Sequence, residues 1–245
     1  MTRPETVDNL EEALRQGDVE LKGQFMLGSN YTFLVTVHFL DRELQAVYKP
    51  SRGEQPLWDF PESTLANREV AAYIFSEALG LRFVPCTVRR DDSPIYGPGS
   101  LQQYIDYDPD YHYFNFSDED KLRLAPVVLF DLLVNNADRK GSHVLIEKET
   151  QKLWAIDHGL CFHEEDKLRT VLWDFAGEAI AGDLLARVAS VPALLERGSP
   201  LDIRLRPFLE PREIGAVAAR AQRLLQSGTF PSPPQNRRAF PYPPI

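Results

Sequence analysis

The chain has 245 residues, of which 43% are hydrophobic and 26% charged, a composition that is ordinary for a folded globular protein. Its formal net charge of −9 opposes binding to nucleic acids and to anionic lipid surfaces. Two cysteines, a polar N-terminus and the lack of a long apolar run predict a cytoplasmic protein without a disulfide framework, a signal peptide or a transmembrane segment.

Residues 1–105 are predicted to form a small antiparallel sheet with one long helix. Strands are indicated where β-branched and aromatic residues cluster, as in YTFLVTVHF. The long helix has Ser63 or Thr64 as its N-cap, and Gly80 suits its C-terminal end. In chain order, we predict a short helix at 7–16, strands at 19–24, 31–39 and 44–49, the long helix at 65–79, and strands at 83–89 and 101–105.

Residues 106–228 are predicted to be mostly helical. A polar, aromatic loop is followed by a helix that starts at Ser117 or Asp118, and Pro126 either kinks this helix or marks a late start. The other predicted elements are strands at 143–147 and 153–156 and helices at about 182–195 and 211–226. Together with residues 1–105, this order predicts an α+β fold of two lobes, the first a small sheet and the second mostly helical.

The tail, residues 229–245, contains six prolines and is predicted to be an extended arm. Proline removes the N–H that a regular helix needs, so a helix is excluded here. Two interpretations stay open at this point. The arm packs across the body of the protein, or it is a proline-rich ligand for a protein partner.

Four side chains recur in an order that is typical of phosphoryl transfer. Lys49 ends the third predicted strand, and Glu69 lies in the long helix that follows. Asp138 lies in a loop at 135–142, and Asp157 ends a strand in the sequence AIDHG. Phosphoryl transfer needs a cation on the phosphates, a carboxylate for a divalent metal and a carboxylate near the attacking hydroxyl. The order strand lysine, helix glutamate, loop aspartate and strand-end aspartate is the order found in kinases.

The stretches around Asp138 and Asp157 resemble those of a known family. The stretch ADRKGSHVL at 137–145 is similar to the catalytic loop of the small bacterial members of the phosphatidylinositol 3/4-kinase-like group of atypical kinases, in which Asp-Arg-His-x-x-Asn precedes an apolar strand. The spacing from Asp138 to His143 equals that of the family's Asp and Asn. The stretch AIDHG at 155–159 resembles the family's metal-binding Ile-Asp-Phe-Gly. The resemblance covers residues 24–175 and implies a two-lobed, protein-kinase-like fold that binds ATP with Mg²⁺ or Mn²⁺.

The resemblance also implies a role for each candidate residue. Lys49 holds the α- and β-phosphates of ATP and is steadied by Glu69. Asp157 binds the metal, with His143 as a possible second ligand, and Asp138 orients the acceptor hydroxyl. The implied activity is phosphate transfer from ATP to an alcohol, carried by a small molecule or a protein.

The sequence departs from the family pattern at two positions of the loop. His143 stands where the family has a metal-binding Asn, and Lys140 stands where it has His. Because Mg²⁺ prefers oxygen ligands, His143 favours three departures from the family: Mn²⁺ as the bound metal, a site with one metal ion, or a different reaction. The chain is also much shorter than a eukaryotic lipid kinase, so the family's acceptor is not carried over.

Two backbone segments are further candidates for nucleotide binding. A turn between the first two strands can cradle phosphates with its N–H groups, or it can be a plain hairpin turn. Its residues are Gly28, Ser29 and Asn30. The segment that joins the two predicted lobes is positioned to meet an adenine edge, through Gln103, Tyr104 and Ile105.

Three other interpretations fit the same residues. A degenerate kinase would bind nucleotide without transferring phosphate, and the substitution at His143 favours this. A second alternative transfers a nucleotidyl group on the same fold. The third is a metal-dependent phosphoesterase in which His143, His158 and His163 form a transition-metal cluster with Asp157, although their spacing matches no standard zinc pattern. Arg169 and Asp174 are candidates for shaping an acceptor pocket.

Overall fold

A computed structural model describes residues 7–24, 31–93 and 96–245. Its first part is an antiparallel sheet with one long helix, and its second part is mostly helical. The strands are β1 (Asp18–Gln24), β2 (Phe33–Phe39), β3 (Arg42–Pro50), β4 (Thr87–Arg90), β5 (Gly99–Gln103), β6 (Val144–Ile146) and β7 (Leu153–Ala155). The helices are α1 (Val7–Gln16), α2 (Leu65–Ala78), α3 (Asp118–Leu122), α4 (Ala125–Val134), α5 (Gly182–Leu194), α6 (Pro200–Leu205) and α7 (Pro211–Ser227).

The sheet places β3 at its centre, in the order β1-β2-β3-β5-β4, with every pair antiparallel. Side chains alternate between the two faces of a strand. Ala46 and Tyr48 are buried on one face of β3. Lys49 therefore emerges on the other face, near the end of the strand and paired with Ser100 of β5. On that face the Lys49 side chain meets α2, where it contacts Glu69.

Helix α2 is capped by a residue that lies far from its start in sequence. Thr64 is the N-cap as predicted, but its hydroxyl donates to the Pro61 carbonyl at 2.7 Å rather than accepting from the helix. The Glu54 carboxylate accepts from the first two amides, Leu65 N at 3.1 Å and Ala66 N at 3.0 Å. A carboxylate suits this end because the N-terminal amides of a helix carry partial positive charge. Gly80 follows the helix at a φ of +65°, as predicted.

Arg68 fastens α2 to the helical part of the protein. Its side chain is 2% exposed, and it donates to the Cys161 carbonyl and to the Glu213 carboxylate of α7, both at 2.6 Å. Its guanidinium also lies over the Phe60 ring, 4.9 Å from the centroid. The buried charge of Arg68 is therefore paired across the boundary between the two parts, at the residue that precedes Glu69.

Several predicted boundaries move, and one helix was missed. Strand β4 starts at Thr87 rather than at residue 83, after Pro85, which has no N–H for a ladder. Pro126 marks a late start, because α3 ends at Leu122 and α4 begins afresh with Pro126 in its first turn. Helix α6 was not predicted, although Ser199 caps it by accepting from Asp202 N at 3.1 Å.

The proline-rich tail has no regular helix or strand and lies against the body of the protein. Phe230 joins the main hydrophobic core, and Ala239 is 7% exposed. The tail is thus packed across the body of the protein, which was the first of the two interpretations. Within the described ranges, none of the helices is both long and apolar enough to span a bilayer.

Candidate active site

Three charged side chains meet where the sheet faces the helical part. Lys49 Nζ lies 2.5 Å from Glu69 Oε1 and 3.1 Å from Asp157 Oδ1. Burial alone would lower the pKa of Lys49, but the carboxylates of Asp157 and Glu69 outweigh burial and raise it, so the ammonium stays charged. The contact expected between Lys49 and Glu69 is present.

Glu69 also holds the turn that carries Asp157. Its side chain is almost fully buried, and its second oxygen, Oε2, accepts from the backbone N–H of His158 at 3.1 Å. One carboxylate therefore fixes both the Lys49 ammonium and the backbone next to Asp157.

The backbone of Asp157 is left-handed, with a φ of +61°. Among residues with side chains, Asp and Asn tolerate this conformation best. Burial by itself would raise the pKa of Asp157, but Lys49 and His143 outweigh that effect, and the pKa lies well below its usual range. Since 46% of its side chain is exposed, this ionised carboxylate is open to solvent and available to a cation.

His143 lies on the other side of the same carboxylate. Its Nε2 is 3.2 Å from Asp157 Oδ2, and its Nδ1 accepts a long hydrogen bond of 3.4 Å from Lys140 N. This pair of contacts assigns the proton to Nε2. Burial, assisted by the nearby cations and opposed by Asp157, lowers the pKa of His143 to about 4, so the imidazole is neutral at pH 7.

Asp138 is held at the start of its loop by Asn136, whose Oδ1 accepts from Asp138 N at 2.9 Å. Its Oδ2 lies 3.6 Å from Lys140 Nζ. Burial raises the pKa of Asp138 to about 6, Asp157 adds to the rise, and Lys140 and Arg169 oppose it. The carboxyl is therefore mostly ionised at pH 7, yet more basic than an ordinary aspartate.

A buried arginine that the sequence interpretation passed over joins these loops. Arg139 makes a two-pronged ion pair with Asp131 of α4, at 2.8 and 3.0 Å. It also donates to the carbonyls of His143 at 3.2 Å and Ile156 at 2.6 Å, and its Nη2 lies 2.8 Å from His158 Nε2. The missed signal was Asp131 itself, because a carboxylate within the apolar helix VVLFDLLV needs a buried partner.

Replacing Arg139 with leucine is expected to destabilise the fold strongly. The substitution leaves the Asp131 carboxylate buried without its partner, which typically costs about 3–5 kcal/mol of unfolding free energy. The measurement is urea unfolding followed by circular dichroism. Arg15→Ala is the control, since Arg15 is half-exposed and pairs only with Glu11 on α1. That variant should change the free energy of unfolding by no more than about 0.5 kcal/mol. Equal effects for the two variants would contradict the assignment of Arg139 as a buried residue that joins these loops.

The backbone segment predicted to meet adenine is already partly engaged within the protein. Gln103 N donates to the Cys86 carbonyl at 2.8 Å, and Tyr104 N donates to the Gln45 carbonyl at 3.1 Å. Ile105 follows them, and within the described ranges its N–H has no acceptor. The turn of Gly28, Ser29 and Asn30 lies outside the described residues.

The histidines do not gather into a metal cluster. His158 is buried against Arg139, and His163 packs edge-on against Phe60 while its Nδ1 accepts from Glu165 N at 3.0 Å. Across the described ranges, no three His, Cys, Asp or Glu side chains are arranged to hold a metal ion. His143, His158, His163 and Asp157 are therefore not gathered into the transition-metal cluster considered from the sequence.

Comparison with known proteins gives two sequence matches. A model of the family described as phosphatidylinositol 3- and 4-kinase matches residues 63–192. Protein Rv2133c of Mycobacterium tuberculosis (strain ATCC 25618 / H37Rv) is 36% identical over 269 residues, which cover 96% of this chain and 95% of that protein.

Solved structures of kinases share the fold at low sequence identity. Hydra Fam20 with sugar has a TM-score of 0.61 at 14% identity, over 90% of this chain and 88% of that one. The Golgi casein kinase with Mn/ADP bound has a TM-score of 0.55 at 15% identity, over 90% and 74%. The Helicobacter pylori proinflammatory kinase CtkA has a TM-score of 0.52 at 12% identity, over 89% and 94%. These likenesses confirm the kinase-like α+β fold expected from the sequence.

Proposed function

Because this chain belongs to the phosphatidylinositol 3- and 4-kinase family, we propose that it transfers the γ-phosphate of ATP to a hydroxyl group. Family and fold together support a phosphotransferase-type function. The observation that carries the finer proposal is the cluster of Lys49, Glu69 and Asp157, in which a charged lysine and an ionised, solvent-open carboxylate lie side by side.

In this proposal Lys49 holds the phosphates of ATP, and Glu69 keeps its ammonium in place. The Lys49 ammonium is fixed by two carboxylates, so little side-chain entropy remains to be lost when phosphate binds. Adenine would lie beside Ile105, whose N–H has no acceptor among the described residues and can donate to a ring nitrogen. Ile105 packs with Leu145 and Ile156 in an apolar cluster that suits a flat heterocycle.

The residues present fit a divalent metal ion whose remaining ligands would come from the nucleotide. Mg²⁺ is usually held by one or two carboxylates together with phosphate oxygens. Asp157 supplies an ionised carboxylate, and the neutral ring of His143 lies 3.2 Å from it. Such an ion would neutralise charge on the transferring phosphate. His143 could hold such an ion through Nε2 as the tautomer that carries its proton on Nδ1, and imidazole suits Mn²⁺ better than Mg²⁺. The Golgi casein kinase structure, which holds Mn and ADP, supports the choice of cofactors.

Asp138 is the proposed partner of the acceptor hydroxyl. A bond forms from the hydroxyl oxygen to the γ-phosphorus, the bond from that phosphorus to the β–γ bridging oxygen breaks, and ADP leaves. The hydroxyl proton passes to the Asp138 carboxylate. A carboxyl with a pKa of about 6 is ionised at pH 7 and basic enough to take part in this transfer.

ATP labelled on either the α- or the γ-phosphate tests the proposal. The protein is incubated with Mg²⁺ or Mn²⁺ and with pools of polyols, sugars and proteins as acceptors. Transfer of the γ label alone supports the kinase, whereas transfer of the α label would replace it with a nucleotidyl transferase. Nucleotide binding without movement of either label would favour the degenerate kinase, the alternative that the His143–Asp157 contact supports.

Replacing His143 with asparagine is expected to shift metal preference toward Mg²⁺. An amide oxygen replaces a ring nitrogen, and Mg²⁺ prefers oxygen. We expect the ratio of half-saturating Mg²⁺ to Mn²⁺ to fall on the order of tenfold, measured by thermal shift with ATP present. His38→Asn is the control, because His38 lies on β2, and its side chain contacts the exposed carboxylates of Glu20 and Glu43. An unchanged ratio in the His143 variant would remove this residue from the metal site.

A further inference from the structure

The end of the tail is hydrogen bonded to the loop that carries Asp138. Gly141, three residues after Asp138, donates its N–H to the Pro244 carbonyl at 2.8 Å. Gly141 itself has no room for a side chain, since an added Cβ would lie 2.7 Å from the Phe114 ring. The Pro244 carbonyl of the tail thus accepts from the Gly141 amide of the loop, although the two residues are 103 positions apart in sequence.

The tail makes a second set of contacts on the segment that follows the Asp157 turn, residues 166–172. Thr170 donates its N–H to the Ala239 carbonyl at 3.0 Å. Arg237 donates to the Leu168 carbonyl at 2.6 Å and to the Asp166 carboxylate at 2.8 Å. Ala239 is buried at this contact, so the tail is anchored here by packing as well as by hydrogen bonds.

These contacts bracket Arg169. The two residues next to it, Leu168 and Thr170, are the ones the tail binds. Arg169 in turn joins the Asp138 loop, because its carbonyl accepts from Arg139 N at 3.0 Å and its Nη1 lies 3.5 Å from the Ala137 carbonyl. Three backbone segments therefore lie next to one another here: the Asp138 loop, residues 166–172 and the tail.

Except for His143, which follows Gly141 by two residues, the nucleotide and metal half of the site lies outside these segments. Lys49 and Glu69 belong to β3 and α2, and Asp157 is held by Glu69, Lys49 and His143. These four contacts join residues of β3, α2 and the Asp138–His143 and Asp157–His158 segments, and none of them includes a residue of 236–245. The tail therefore touches the side of the site that holds Asp138 and Arg169, and leaves the phosphate-binding side to the sheet and α2.

We propose that the tail positions the acceptor half of the site, through Arg237, the Ala239 contact and the Pro244 carbonyl. It holds the Asp138 loop and residues 166–172 at a fixed separation, so that a bound hydroxyl meets Asp138 in line with the γ-phosphate. This inference rests on the proposed phosphotransferase. Prolines suit the task, because their restricted φ lowers the entropy lost when the tail is ordered.

Two full-length variants and two matched controls test the proposal. Arg237→Ala removes the bonds to Leu168 and Asp166, and Ala239→Glu places a charge in a buried contact and so displaces the tail. Arg238→Ala and Phe240→Glu are the controls. The Arg238 side chain contacts two groups of the tail itself, the Phe240 carbonyl and the Tyr242 ring, and Phe240 is 51% exposed.

The first readout is amide hydrogen exchange at Gly141 and Thr170, measured by NMR on each variant. Faster exchange is expected at both amides in Ala239→Glu and at Thr170 in Arg237→Ala, with the controls like wild type. The second is turnover of γ-labelled ATP with Mn²⁺. A misplaced acceptor site typically lowers kcat about 10- to 100-fold, while the KM for ATP stays within about twofold of wild type because nucleotide binding is untouched.

Unchanged exchange at Gly141 and Thr170 in Ala239→Glu would overturn the inference, and so would faster exchange with a wild-type kcat. A rise of the KM for ATP equal to the loss of kcat would also overturn it, because the tail would then serve nucleotide binding. If wild type transfers no phosphate, the proposed function fails, and the positioning role is decided by amide exchange alone. Should Ala239→Glu not fold, Arg237→Ala carries the test.

Discussion

Replacing Asp157 with asparagine is expected to abolish the stabilisation of the protein by ATP together with Mn²⁺. The amide removes the negative charge that is proposed to hold the ion, and it keeps nearly the same shape. It also tolerates the left-handed backbone at this position, so the turn should survive. The measurement is the rise in melting temperature on adding ATP and Mn²⁺, compared with that of wild type.

A matched control shows whether an effect comes from the position of the residue or from the change of Asp to Asn itself. Asp91→Asn makes the same change on an exposed carboxylate that pairs with Arg89 at the end of β4. It should leave the ligand-induced rise intact. An undiminished rise in Asp157→Asn would exclude Asp157 as the metal-binding carboxylate, and with it the proposed arrangement of the phosphates.

Replacing Asp138 with alanine is expected to reduce phosphate transfer by about 10²- to 10⁴-fold, while ATP affinity stays within about threefold of wild type. The effect is expected on kcat because the proposed function has this carboxylate face the acceptor hydroxyl and act in the transition state. The measurements are turnover of γ-labelled ATP and titration with a fluorescent ATP analogue. Asp138→Asn is the companion, since it keeps the size of the side chain but cannot accept the proton.

Two results would change the assignment of Asp138. Loss of ATP binding in a folded Asp138→Ala protein would move this residue to the nucleotide side of the site. If wild type and Asp138→Ala both leave ATP unchanged with every acceptor pool, the degenerate kinase would replace the phosphotransferase.

The parts of the site that follow chain order were predictable from sequence. Lys49 at a strand end and Glu69 in the next helix are placed by local patterns, and the structure brings them together with Asp157. Their roles stay predictions. The kinase-like fold was predictable for the same reason, since the order of its strands and helices is encoded locally.

The parts that depend on distant contacts were not predictable. Asp131 and Arg139 belong to an apolar helix and a loop, and only packing shows that they share one ion pair. The Gln103 and Tyr104 amides looked available for adenine, because their acceptors lie far away in sequence: Cys86 just before β4 and Gln45 within β3. Composition excluded a helix for the tail, but it carried no signal that Pro244 would reach Gly141.

The anchoring of α2 by Arg68 limits how this molecule can be switched off. A helix that carries the glutamate of a lysine–glutamate pair can in principle swing outward and separate the two charges. Here that swing would strip a fully buried guanidinium of Glu213 and of the Cys161 carbonyl. Leaving such a charge unpaired costs about 3–5 kcal/mol, which would depopulate the swung-out state by more than about a hundredfold. An outward movement of this helix would therefore have to break the Arg68–Glu213 pair, so it would be favoured only with a substitute partner for these charges.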